Sequence, residues 1–241
     1  MLLPEVLIAV GLLVILILGL FRIKNTFLVG VYVLILVVAI GTSFFLTEEA
    51  MFLPFRRLVL VSALASVLFF IYSPIFRSEH TSETLFLLLA SVLGLNVMML
   101  AEDLLSLFIA LELAAIASYI LVILSWKKQS TEGAIKYLLF GVFASAIMLY
   151  GISWVYGLSG STDWQGVSWK IPISFWHYAS IFMMLAGLLM KISAVPYHIW
   201  TPDVYQIAPT PVVAFLATAS KIAGIVAMLK IIKAYEPVFP D

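Results

Sequence analysis

Eight stretches of the chain are apolar on every face, near 3–21, 27–46, 57–76, 85–101, 104–125, 131–157, 175–197 and 211–233. Each has roughly the 20 residues that a helix needs to cross about 30 Å of hydrocarbon. Strands of a membrane barrel would be shorter and would alternate apolar with polar residues, so the pattern predicts an all-α polytopic membrane protein of about eight transmembrane helices. The first run opens with Glu5 instead of basic residues, and no small-residue cleavage site follows it, so it is expected to stay as a span. No soluble domain and no low-complexity tract interrupts the runs.

Composition agrees with the pattern and narrows the chemistry. The chain has 241 residues, 64% of them hydrophobic and 11% charged, with a mean hydropathy of +1.16. Lys plus Arg and Asp plus Glu number 13 each, so no basic excess is present to hold nucleic acid. With no cysteine, thiolate zinc sites, iron–sulfur clusters and cysteine nucleophiles are ruled out. Basic residues in the connections set orientation. Arg22, Lys24, Arg77, Lys127 and Lys128 fall on one face, and Arg56, Arg57, Lys170, Lys230 and Lys233 on the other, a weak bias that favours an external N-terminus. The longest loop, about 158–174, holds Trp164 and Trp169 and reads as an interfacial segment with indole anchors.

Charged residues inside the spans each need a reason, because one at the middle of a spanning helix costs about 2.5–3.5 kcal/mol on insertion scales. Glu112 lies nine residues after Asp103, the expected cap of the fifth helix, and so sits roughly 14 Å deep. Lys221 follows Pro211, the expected start of the eighth helix, by ten residues and lies about 15 Å deep. Lys191 is about 24 Å along the seventh helix, five residues before Pro196. The run KISAVPYHIWTPDVYQIAPTP places Pro196, Pro202, Pro209 and Pro211 in an apolar stretch, and the helix must break around Pro196. Broken backbone at membrane depth survives where protein or a water-filled cavity satisfies it, and such breaks mark ion sites in transporters.

A buried structural ion pair is the plainer reading of Glu112 with one lysine. Two deep lysines against one deep glutamate leave a surplus base, which can gain and lose a proton as its surroundings change. That points to a proton relay. Lys136 lies about 8 Å from the start of the sixth helix, four residues after Glu132, and reads equally as a snorkelling interfacial lysine or an entry-path residue. Asp103 and Glu102 fit a capped turn. His80, His177 and His198 have no facing arrangement for haem. No nucleotide-binding glycine motif occurs, so no cofactor or metal site is expected in this chain.

The stretches AEDLLSLFIALELAAIASYIL from Ala101, STEGAIKYLLFGVFASAIMLYGISWVYGLSG from Ser130, and KISAVPYHIWTPDVYQIAPTPVVAFLATASK from Lys191 to Lys221 resemble the proton-pumping, antiporter-like subunits of respiratory complex I. Among these the resemblance is nearest to the subunit-N group of NADH:quinone oxidoreductase. It is faint over the first three helices and strong from about 85 to 233. The resemblance implies an N-terminal three-helix segment over 1–80 and, over 81–241, a five-helix repeat of helices four to eight with a discontinuous seventh. It implies Glu112, Lys191 and Lys221 as the proton relay and Lys136 at the proton entry, with Pro196 and Pro202 at the break and His198 and Asp203 along a polar path. NADH, FMN, iron–sulfur clusters and quinone would belong to partner subunits, and a bacterial plasma membrane would be the site.

The family carries a second, inverted repeat that is missing from these residues, so another chain or further residues of a longer subunit are expected to supply it. Three rival readings remain open at this point. They are a subunit of a multisubunit cation/proton antiporter, a membrane-bound hydrogenase subunit, and a purely architectural membrane subunit.

Overall fold

The computed structural model describes residues 3–21, 23–44, 52–73, 76, 80–124, 128–164 and 175–235. Arg22, Arg77, Lys127, Trp169 and Lys170, on which part of the orientation and loop readings rests, lie outside the described residues, as does the side chain of Lys128.

Among the described residues ten α-helices follow in order: α1 (Leu3–Leu20), α2 (Asn25–Phe44), α3 (Leu53–Tyr72), α4 (Thr81–Leu100), α5 (Leu104–Ile123), α6 (Lys128–Ser159), α7 (Phe175–Ile192), α8 (Trp200–Ile207), α9 (Thr210–Ala217) and α10 (Ala219–Ala234). Eight units are long and apolar enough to cross a membrane, with α9 and α10 counting as one. The chain is thus a multi-pass, all-helical membrane protein, and each predicted span has its counterpart. The third span starts earlier than its apolar run. Leu53 and Pro54 open α3, so Arg56 and Arg57 belong to its first turns and not to a loop.

Helix pairs pack through small residues, as they must where lipid removes the hydrophobic drive for association. Gly94 of α4 faces α5 so closely that a Cβ there would lie 2.7 Å from Ala114 N and 2.8 Å from Ala110 O. Beside it, Ser91 donates to the Ala114 carbonyl at 3.2 Å, and Ser118 takes the same carbonyl at 2.5 Å. Spans alternate in direction, so the start of α1, α3, α5 and α7 and the end of α2, α4, α6 and α10 share one face. On that face the segment after α6 straps the α4–α5 turn. Leu104 N donates to Thr162 O at 3.0 Å, and the Trp164 indole donates to Ala101 O at 2.8 Å. Trp164 therefore anchors protein to protein, a role its composition-based reading as an interfacial anchor did not include.

The seventh span breaks where the prolines predict. Helix α7 stops at Ile192, Ser193 takes a φ of 60°, and regular helix resumes only at Trp200. Pro202 sits in the first turn of α8, where amides have no intrahelical partner, so it begins a helix instead of interrupting one. The eighth span, expected to be continuous from Pro211, is divided. Thr218 (φ −117°, ψ −78°) separates α9 from α10, and its hydroxyl takes the Ala214 carbonyl at 2.7 Å. A threonine bonding back to the carbonyl four residues earlier bends a helix without any proline.

Candidate functional site

Asp103 caps α5 as its type predicts. Its carboxylate accepts from the Ser106 amide at 2.8 Å. Nine residues on, Glu112 is half-buried on the side of α5 that meets α6, and Ser145 of α6 donates a short hydrogen bond to Glu112 Oε1. Ser145 was not singled out in the sequence. The available signal was a serine amid the apolar run of the sixth span, a feature it shares with Ser153.

Lys191 occupies the last turn of α7 and is 3% exposed. Among the described residues its Nζ has no hydrogen-bond partner and no carboxylate within 4.0 Å. Glu112 is the acidic group whose field reaches it. An ammonium held in this way in a lipid-surrounded interior is costly unless water or a moving proton serves it.

Helix α10 lies directly against the stem of Lys191. A Cβ on Gly224 would meet Ile192 Cγ2 at 2.6 Å and Lys191 Cγ at 3.7 Å. Glycine is therefore required for this approach, and it brings Lys221, three residues earlier and on the same side of α10, within one turn of the contact. Lys221 is half-buried, with its ammonium 5.8 Å from the centre of the Tyr205 ring of α8. Lys221 thus stands one turn from the α7–α10 contact that covers the stem of Lys191, and Glu112 of α5 acts on Lys191 through its field.

Around the break, polar atoms without partners are concentrated in one stretch of chain. Ser193 Oγ, Trp200 Nε1, Thr201 Oγ1 and Tyr205 OH are buried and, like Lys191 Nζ, have no hydrogen-bond partner among the described residues. Native interiors leave few such atoms unserved by protein or ordered water. An aromatic column crosses the same region. Tyr119 of α5 meets Tyr137 of α6 edge-on at 4.6 Å, Tyr137 stacks on Trp200 at 4.2 Å, and Trp200 lies edge-on to Tyr205 at 6.3 Å. An aromatic ring in a span is ordinary, so nothing in the sequence sets these four apart.

The remaining predicted residues form a second, more exposed group. Lys136 Nζ pairs with Asp203 at 2.8 Å and with Glu132 at 3.1 Å, joining α6 to α8. Asp203 stands in the first turn of α8, where a carboxylate suits the helix dipole. Pro196 and His198, in the break itself, are exposed. Among the described residues no cluster of three metal-ligating side chains occurs.

Three comparisons place this arrangement among known proteins. The model of the NADH:quinone oxidoreductase/Mrp antiporter transmembrane family matches residues 101–239, the part holding all of these groups. The NADH-quinone oxidoreductase subunit N of Geobacillus sp. (strain WCH70) is 43% identical over 185 residues, covering 73% of this chain and 38% of that protein. The subunit N of Bartonella bacilliformis is 34% identical over 249 residues, covering 96% of this chain and 51% of that protein. Respiratory complex I from Thermus thermophilus with bound aureothin contains a chain that superposes with a TM-score of 0.82 at 29% identity, over 95% of this chain and 53% of that one. The chain spans about half the length of the relatives it matches. With the broken α7, its buried lysine and the adjoining lysine of α10 all inside the matched segment, this chain belongs to the NADH:quinone oxidoreductase/Mrp antiporter family of membrane proteins.

Proposed function

We propose that this chain is part of a membrane-arm subunit of an NADH:quinone oxidoreductase in a bacterial plasma membrane, and that it moves protons while partner subunits carry electrons from NADH to quinone. Those partners would hold the FMN, the iron–sulfur clusters and the quinone site, and the present chain would act without a redox group of its own. Helices α4 to α10 form one repeat of the translocating unit and α1 to α3 a separate N-terminal segment. The counterpart repeat comes from residues beyond these or from a second chain.

One observation carries the reading. A fully buried lysine at a helix break has no partner on its ammonium among the described residues, faces a single acid, and abuts the helix that carries a second lysine. In the resting state Glu112 holds charge on Lys191. When a displacement passed from neighbouring subunits weakens that attraction, Lys191 releases its proton toward Lys221. Waters at the unserved polar atoms of Ser193, Thr201 and Tyr205 bridge the step. Lys136, with Asp203 and Glu132, stands on the exposed side as the entry group. Moving one charge against 100 mV takes about 2.3 kcal/mol, within reach of a change in the field that a carboxylate exerts on a buried ammonium.

The test is Glu112→Gln and Lys191→Ala in the assembled oxidoreductase. Proton uptake into vesicles is read by quenching of a pH-sensitive dye, against the rate of quinone reduction. Loss of uptake with assembly intact is expected. Unchanged uptake per quinone reduced, in both variants and in their combination, would leave an architectural role and refute the relay.

A further inference from the structure

On the face bearing the N-terminal end of α1, a cavity of about 230 Å³ is lined by Phe52, Trp164, Lys230, Lys233 and Ala234. These residues come from the start of α3, the strap after α6 and the last two turns of α10. They lie at helix ends, at the level where lipid headgroups begin. Lys230 is half-buried. It donates to Ala101 O at 3.0 Å, and its ammonium sits 5.6 Å from the centre of the Phe52 ring. The Ala101 carbonyl is shared with the Trp164 indole, so Lys230 is held by a neutral group that leaves its charge uncompensated at that contact. Nearby, Arg56 is engaged by Glu5 in a 2.6 Å ion pair, and the exposed Glu102 is the acidic group whose field reaches Lys230. Among the described residues the lining carries two ammonium groups three residues apart on one side of α10.

Below this cavity α10 is apolar and open. Ile225, Leu229 and Ile232 are 44%, 42% and 41% exposed. Ile225, Leu229 and Lys233 recur every four residues, and so stand one above another along the helix toward the middle of the membrane. Cations over an aromatic-walled recess, continued downward by an apolar ridge, match the chemistry of one molecule with an anionic head and a hydrocarbon tail. We propose that this recess is a binding site for an anionic phospholipid, with its phosphate on Lys230 and Lys233, its glycerol region against Phe52 and Trp164, and an acyl chain along Ile225 and Leu229.

The ridge separates a lipid from free phosphate, which would use the lysines alone. The site is independent of proton movement and is tested without it. The full chain, in bilayer discs of phosphatidylcholine containing a minority of phosphatidylglycerol, is released in the gas phase and its retained lipids are weighed by mass spectrometry. Retention of phosphatidylglycerol over phosphatidylcholine by roughly tenfold or more is expected, falling at least several-fold in Lys230→Gln/Lys233→Gln. Lys24→Gln, an exposed lysine on the opposite face, is expected to leave retention unchanged. Lys233→Gln alone alters an exposed side chain, so its reduced retention keeps the test valid if the double variant fails to fold. Equal retention of the two lipids, no loss in the lysine variants, or displacement by millimolar inorganic phosphate would each overturn the proposal.

Discussion

Arg56→Met tests the balance of charge inside the N-terminal helices. The Arg56 and Glu5 side chains are 4% and 5% exposed and meet at 2.6 Å, so the discount that applies to surface pairs does not apply here. The pair is also incompletely served. Glu5 Oε2 and Arg56 Nε have no hydrogen-bond partner among the described residues, which leaves desolvation only partly offset. Removing one partner strands a buried charge and is expected to destabilise the fold by about 3–5 kcal/mol. Removing both in Glu5→Leu/Arg56→Met leaves well-packed apolar side chains and is expected to lie within about 1 kcal/mol of the parent or above it. The double-mutant cycle, measured by denaturant titration of helix content in mixed micelles, isolates the pair. A loss below about 1 kcal/mol for Arg56→Met, or a double variant weaker than the single one, would mean that water reaches the pair and would refute the reasoning.

Three further outcomes are expected. Gly94→Ala forces a methyl group to within 2.8 Å of α5 backbone atoms and should cost about 1–3 kcal/mol in the same titration, whereas Gly30→Ala, with nothing within 4 Å, should be nearly silent. Burial alone would raise the Asp103 carboxyl, but hydrogen bonds from Ser106 and the Leu105 amide outweigh it and hold the group below its ordinary 3.8. Its folded pKa is therefore lower than its unfolded one, so its stabilising contribution is complete above that ordinary value and fades as pH falls through the folded pKa. Asp103→Asn should keep the cap and lose this acid dependence, and Asp103→Ala should cost about 0.5–2 kcal/mol at neutral pH. Lys136→Ala should leave stability nearly unchanged, because its pairs with Asp203 and Glu132 lie at the surface and are screened by solvent. Thermal melts of the variant alongside Asp203→Ala check this.

The spans were legible because each is apolar around its whole circumference, a pattern that only the membrane interior tolerates. The break in α7 was equally plain, since Pro196 removes a donor in an otherwise helical run. The division of the eighth span was not. Thr218 sits in AFLATASK, with neither proline nor glycine beside it, and its bend depends on a hydroxyl choosing a carbonyl one turn back. Position along the predicted spans is what set Glu112, Lys191 and Lys221 apart from the remaining charges in the sequence. Partners across the fold were hidden. Glu5 and Arg56 are 51 residues apart and Lys136 and Asp203 are 67 apart, and nothing local in either member specifies the other. The two arginines of α3 looked alike as loop cations, yet one is buried against Glu5 and the other donates to Ser43 O and covers the Phe44 ring.

The length of α6 constrains how water approaches the cluster around Lys136. Its 32 residues make a rod of about 48 Å, and even a lean of about 40° lets 30 Å of hydrocarbon accommodate only some 39 Å of it. About six residues must therefore project beyond the oily layer, and the polar stretch KQSTE at its start is the part suited to do so. Glu132 and Lys136 then stand at a wet threshold, where ions and protons from bulk solution can arrive without any opening motion of the bundle.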